Sequence, residues 1–179
     1  GFTTNGLVQT HFIPLCQDYG MTAVAGAGVM ALMGMFDFVG AIGSGYLSDR
    51  FAPHKLLFWY FFLRGLSLLV LPYSSFSLVG LSAFAVFYGM DWIATVPPTV
   101  KLAASGFGRE QAPLVFGWIF TGHQVGAALA AYGAGVTHDQ MGSYLPAFMT
   151  GGVLCIIAAA IALRARPPRI ASTAPAAAE

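Results

Sequence analysis

The chain has 179 residues with a formal net charge of +1, and 57% of them are hydrophobic while only 8% are charged. A soluble domain carries about 25% charged residues, so soluble globular, disordered and secreted disulfide-framework classes are poor fits, and the near-zero net charge leaves no footprint for nucleic acid. The composition describes an all-α polytopic membrane protein whose principal partner is the lipid bilayer. Two cysteines, Cys16 and Cys155, stand in apolar stretches at no metal or redox spacing, and neither a metal nor a cofactor is expected.

A helix needs ~20 mostly apolar residues to cross a hydrocarbon core. Six such spans are predicted, at residues 2–17, 22–47, 56–73, 77–97, 113–136 and 145–163. Turn-forming residues separate them, among them Gln17 to Gly20, Ser48 to Pro53, Gly106 to Arg109 and His138 to Gly142. The loops are short, so residues 1–166 are expected to form one bundle. Residues 167–179, rich in Pro, Ala and Ser, read as a disordered tail. The first span is short and has no polar flank before it, and the chain opens on Gly1; it is expected to begin inside a helix. Pro14 and the pair Pro97-Pro98 are expected to end or bend the first and fourth spans.

Lys and Arg positions set the orientation. With six spans, Arg50, Lys55, Lys101, Arg109, Arg164, Arg166 and Arg169 fall on one side, which is therefore assigned to the cytoplasm together with both ends of the chain. The outer loops carry only Asp18 and Asp139. Arg64 alone among the basic residues lies within a span.

Ionisable groups inside a bilayer need partners or a wet cavity. Asp37, Arg64 and His123 lie ~15, ~12 and ~14 Å from the inner edge and Asp91 ~9 Å from it, at a rise of 1.5 Å per residue. They occupy one layer near or below the midplane. Two readings stay open. In one, Arg64 neutralises Asp37 or Asp91 and the layer holds the bundle together. In the other, Asp37, Asp91 and His123 form a substrate or proton site, one carboxylate carrying the proton. Gln124 lines up with Thr121 on the fifth span. The first span adds Asn5 and Gln9 one turn apart, and His11 near the outer end, where it can reach interfacial water. Asp37 shares a face with Gly40, Ala41 and Ser44, and the fifth span carries Gly122, Gly126, Ala130 and Ala134 at every fourth position; both stripes allow close helix approach.

The segment Gly45-Tyr46-Leu47-Ser48-Asp49-Arg50-Phe51-Ala52-Pro53-His54-Lys55 joins the second and third spans. Asp49 can cap or charge-complement a helix N-terminus there, and Glu110 is an expected partner for Arg50 or Lys55. Gly45, Asp49, Arg50 and Lys55 in this spacing and place resemble the signature loop of the major facilitator superfamily. Ala52 and Pro53 replace a usual glycine and arginine, as in the loop of a second half. The resemblance implies the last six helices of a twelve-helix secondary transporter, a symporter or antiporter, with an N-terminal six-helix half as the missing partner. It also implies that the loop is a conformational latch and that Arg64, on the third span, has a structural role.

Thr10-His11-Phe12-Ile13-Pro14 with Asp18-Tyr19-Gly20, and the run Gly133 to Tyr144, are similar to segments of monocarboxylate and oxalate/formate carriers. That narrower likeness implies a small organic anion as substrate. Asp37 matches an aspartate of the monocarboxylate carriers, but Ala41 stands where their arginine would be, and His123 and Gln124 stand where oxalate-type carriers have a lysine. The competing classes are a non-transporting sensor or scaffold and a membrane-embedded enzyme; no catalytic constellation speaks for the latter.

Overall fold

The computed structural model describes residues 1–165, and these are helical with no strand among them. The chain opens with a π-helical stretch, Phe2–Val8, that runs straight into α1, Gln9–Asp18. Then follow α2, Ala23–Arg50, and α3, Pro53–Val70, extended by a 3₁₀ turn at Leu71–Tyr73. The last four are α4, Leu78–Asp91, α5, Val96–Phe107, α6, Ala112–Met141, and α7, Leu145–Ala162.

Local chemistry explains the boundaries. Thr22 and Ser77 begin α2 and α4, their hydroxyls accepting the Ala25 and Gly80 N–H at 3.2 and 3.1 Å. Proline lies in the first turn of α3, α5, α6 and α7, where its missing N–H would have had no helical partner. Gly142 ends α6 in the left-handed conformation, φ 67°, which an L side chain resists. Pro14 lies inside α1, and the helix continues past it to Asp18.

Among the described residues, five helical segments are long and apolar enough to cross a membrane: Ala23–Arg50, Pro53–Tyr73, Leu78–Phe107, Ala112–Met141 and Leu145–Ala162. The first expected span is the shorter helical run Phe2–Asp18. It lies at the centre of the bundle, its Leu7, Phe12, Leu15 and Cys16 fully buried against Leu68, Leu81, Tyr88 and Phe148. Around it α3 packs along α7, α2 along α4, and α6 along the π-helical stretch. Cys155 is buried as well, so both cysteines face helices. The outward surface is apolar, with Phe38 and Ile42 exposed on α2, Trp59 on α3, Phe87 on α4, and Trp118 and Tyr132 on α6.

Two boundaries differ from the sequence reading. The fourth span does not stop at 97; it continues to Phe107, and its interruption falls at Trp92–Thr95, just ahead of Pro97-Pro98. The prolines start a new helix instead of closing the old one, because the first turn tolerates them. Lys101 is therefore helical, not in a loop. Likewise α6 runs to Met141 and carries His138 and Asp139 on its last turn. The expected tail, 167–179, lies outside the described residues.

Candidate functional site

The interruption of the fourth span organises the charged layer. Where α4 ends, backbone carbonyl groups lose their helical partners, and Arg64 of α3 meets them. Its Nε donates to Asp91 Oδ2 at 2.7 Å, and its Nη2 donates to the carbonyl of Asp91 and, at 3.1 Å, to that of Trp92. The ion pair is buried, with side-chain exposures of 5% and 8%.

Asp37, on α2, approaches the same break from the other side. Its Oδ1 accepts the Ile93 N–H at 2.8 Å, supplying the acceptor that the helix no longer provides. One helical turn on, Gly40 meets the Met90 carbonyl so closely that a Cβ there would lie 1.9 Å from it. A further turn on, the Ser44 hydroxyl donates to the Ala94 carbonyl. The expected small-residue stripe of α2 is thus the face that grips the break. Gly89, facing Met33 at comparable range, closes the contact from α4. Of the two partners open to Arg64, the structure pairs it with Asp91 and leaves Asp37 to the backbone.

Tyr88 is fully buried beside this layer. Tyr88 Oη and Asp91 Oδ1 are buried without a hydrogen-bond partner among the described residues. A proton or polar group that reached the layer would find acceptors there.

A cavity of about 350 Å³ opens on the break. Arg64, Trp92, Thr95 and Thr99 line one side, and Asn5 and His123 the other. His123 lies flat on Phe120, ring centroids 5.4 Å apart. Gly1 also lines the cavity. Gln9 is exposed and does not join Asn5 there. Gln124 is exposed on α6, where Thr121 Oγ1 bonds back to the Gly117 carbonyl at 3.0 Å.

The π-helical stretch is a feature the sequence reading missed. Its first bond is Gly6 N–H to the Gly1 carbonyl at 2.9 Å, five residues apart. Gly6 presses on Ala127 and Ala130 of α6, where a Cβ would lie 2.4 to 3.0 Å from their atoms. The small-residue stripe of α6 serves that contact from Gly126 through Ala134; Gly122 has nothing within 4 Å.

His11 has a partner within the bundle. Its Nε2 lies 2.8 Å from the Ala131 carbonyl, and its ring is 5.0 Å from that of Tyr144. His138 stacks on the other part of this group, 4.1 Å from the Tyr144 ring, with its Nε2 3.1 Å from Asp18 Oδ2. The C-terminal ends of α1 and α6 and the start of α7 are tied together here. Nothing in the spacing of Asp18 and His138, 120 residues apart, announces the pair.

At the opposite end, Asp49 sits in the last turn of α2 and pairs with Lys101 of α5, whose Nζ also donates to the Ser48 carbonyl at 2.7 Å. This corrects two expectations. Asp49 caps no helix, since α3 starts at Pro53 without a side-chain cap. Among the described residues Glu110 makes no ion pair with Arg50 or Lys55; Arg50 instead lies over the Tyr46 ring at 4.5 Å. The extension of the fourth span explains the change, since it carries Lys101 alongside α2.

No group of three or more His, Cys, Asp or Glu that could hold a metal occurs among the described residues. What the arrangement offers is a charged, partly unsatisfied polar layer at a helix break, enclosed by apolar helices.

Comparison with known proteins bears on this arrangement. The family model described as Major Facilitator Superfamily matches residues 1–131. Among curated proteins, the Uncharacterized MFS-type transporter YcxA of Bacillus subtilis (strain 168) is 28% identical over 150 residues, covering 81% of this chain and 36% of the relative. Monocarboxylate transporter 13 of Rattus norvegicus is 26% identical over 148 residues, covering 82% of this chain and 34% of the relative. The chain spans about a third of the length of these curated relatives. With the matched region running from the π-helical stretch through most of α6, this chain belongs to the major facilitator superfamily.

Proposed function

We propose that the chain is the six-helix C-terminal part of a secondary active transporter that moves a small organic solute, of the monocarboxylate class, by alternating access. The observation that carries this reading is the interrupted fourth span with Asp37, Arg64 and Asp91 gathered at the break. Interrupted membrane helices expose backbone groups to a solute path, and their polar surroundings are tolerated only where they line a cavity or are buried in protein. The monocarboxylate class rests on the printed name of one relative and on the likeness of the first span and the 133–144 segment.

In this reading α1 and the broken α4–α5 span line the path. The apolar faces of α2 and α6, with Phe38, Ile42, Trp118 and Tyr132 exposed, meet an N-terminal six-helix half. Pairing of α3 with α7 makes them the outer support. Asp37 and His123 are the candidate proton and substrate groups, Asn5 contributes an amide, and Arg64 with Asp91 holds the break in shape. The protein resides in the cell membrane with the Asp49–Lys101 end in the cytoplasm, following the distribution of Arg50, Lys55, Lys101 and Arg109.

The test is uptake by the full-length protein in proteoliposomes, across a panel of small carboxylates and neutral solutes, with and without an inward proton gradient. Gradient-dependent accumulation of a monocarboxylate supports the reading. Accumulation of none of the panel, under any gradient, counts against it.

A further inference from the structure

At the Asp49–Lys101 end lies a second, open cleft of about 440 Å³ between the ends of α2 and α5 and the start of α3. Lys101, Arg109, Ser48 and Ser105 supply its polar lining, and no carboxylate lines it. Asp49, next to Ser48 in sequence, is already held by Lys101. Glu110 adjoins Arg109 in sequence without pairing to it among the described residues. Ser105 has its hydroxyl hydrogen committed to the Leu102 carbonyl at 2.9 Å. Ser48 differs. It is only 4% exposed, and its Oγ is buried with no hydrogen-bond partner among the described residues. A buried hydroxyl without a partner is costly, and here it borders a cleft with two cations.

We propose that this cleft binds a phosphate group, held by Lys101, Arg109 and the Ser48 hydroxyl. Two cations and a hydroxyl donor converging from three chain segments match the several acceptor oxygens of a tetrahedral anion better than a planar carboxylate. Exposed Val100 and Phe107 lie within two residues of the lining residues Lys101 and Ser105, so an acyl chain has apolar surface to follow. The phosphate comes either from the headgroup of an anionic phospholipid at the bilayer edge or from free phosphate in solution. Either way it shares Lys101 with Asp49, so occupancy weakens the Asp49–Lys101 contact.

The experiment measures binding of phosphatidylglycerol to the full-length protein in phosphatidylcholine nanodiscs, with inorganic phosphate as competitor and, separately, as sole ligand. Ser48→Ala and Arg109→Gln leave the Asp49–Lys101 pair in place and are expected to weaken binding roughly tenfold, the loss of one charge-assisted hydrogen bond. Asp49→Asn removes the competing anion and is expected to tighten binding, up to about fivefold. A melting curve for each variant separates misfolding from lost affinity. Phosphatidylglycerol binding that inorganic phosphate does not displace identifies the lipid headgroup as the source. Direct binding and displacement by inorganic phosphate identify free phosphate. Equal binding of phosphatidylglycerol by wild type, Ser48→Ala and Arg109→Gln would overturn the proposal, as would weaker binding by a folded Asp49→Asn.

Discussion

Arg64 and Asp91 face each other across 2.7 Å inside the bundle, and the same guanidinium spans the last carbonyls of α4. The pair therefore neutralises two charges and closes a helix end at once. Removing one partner of a buried pair strands the other charge, which costs about 3–5 kcal/mol. Arg64→Leu is expected to lower stability by that order, and Arg64→Leu with Asp91→Leu by less than the sum of the single changes. Melting of the four proteins in detergent measures the coupling. Strictly additive losses would mean that the ion pair is not what holds the break.

Gly40 and Gly43 lie three residues apart on α2 and meet different surroundings. A Cβ on Gly40 would run into the Met90 backbone, whereas one on Gly43 meets nothing within 4 Å. Gly40→Ala is expected to cost ~1–3 kcal/mol through overpacking, because a carbonyl in a neighbouring helix cannot step aside as a side chain can. Gly43→Ala is expected to be neutral or to gain up to ~1 kcal/mol from helix propensity. Melting temperatures of the two variants check the contrast.

Asp49 and Lys101 are 71% and 43% exposed in their side chains, and exposed pairs contribute ~0–1 kcal/mol to stability. Asp49→Ala is accordingly expected to leave the folded fraction almost unchanged while slowing transport by about tenfold or more, if the contact is made and broken during the cycle. Uptake rate and melting curve of the same preparation separate the two effects. Wild-type uptake by Asp49→Ala would remove the latch.

Asp37→Asn retains an oxygen for the Ile93 N–H but cannot become a carboxylate. The variant is expected to fold and to keep solute exchange without a gradient, while proton-driven accumulation falls by about tenfold or more. Asp37→Leu, which also deletes the acceptor at the break, is expected to lose both. Counterflow and gradient-driven uptake, run side by side, distinguish a proton role from a structural one. Full accumulation by Asp37→Asn would take Asp37 out of proton coupling.

Membrane residence, the approximate spans and the charged layer follow from sequence because they depend on local quantities. Twenty apolar residues in a row must cross a bilayer, wherever they are in a fold. The depth of Asp37, Arg64, Asp91 and His123 follows from residue counts along each helix. The 45–55 segment likewise carries its family likeness in adjacent residues, in line with the family match over residues 1–131.

Pairing is another matter. Depth along a helix says nothing about rotation between helices, so Arg64 had two equally placed carboxylates, and only the packing of α3 beside the end of α4 chose Asp91. The position of the break at Trp92–Thr95, ahead of the prolines, depends on Asp37, Ser44 and Arg64 being there to satisfy the freed backbone groups. Extending the fourth span past it brought Lys101 to Asp49 and left Glu110 out. His138 and Asp18 met because α1 and α6 end at the same level. Local apolarity and turn chemistry thus determined that the chain is a membrane bundle and where its charges lie in depth. Which charges touch was decided by tertiary structure, because a contact between helices depends on azimuth and crossing, and neither is encoded in any one segment.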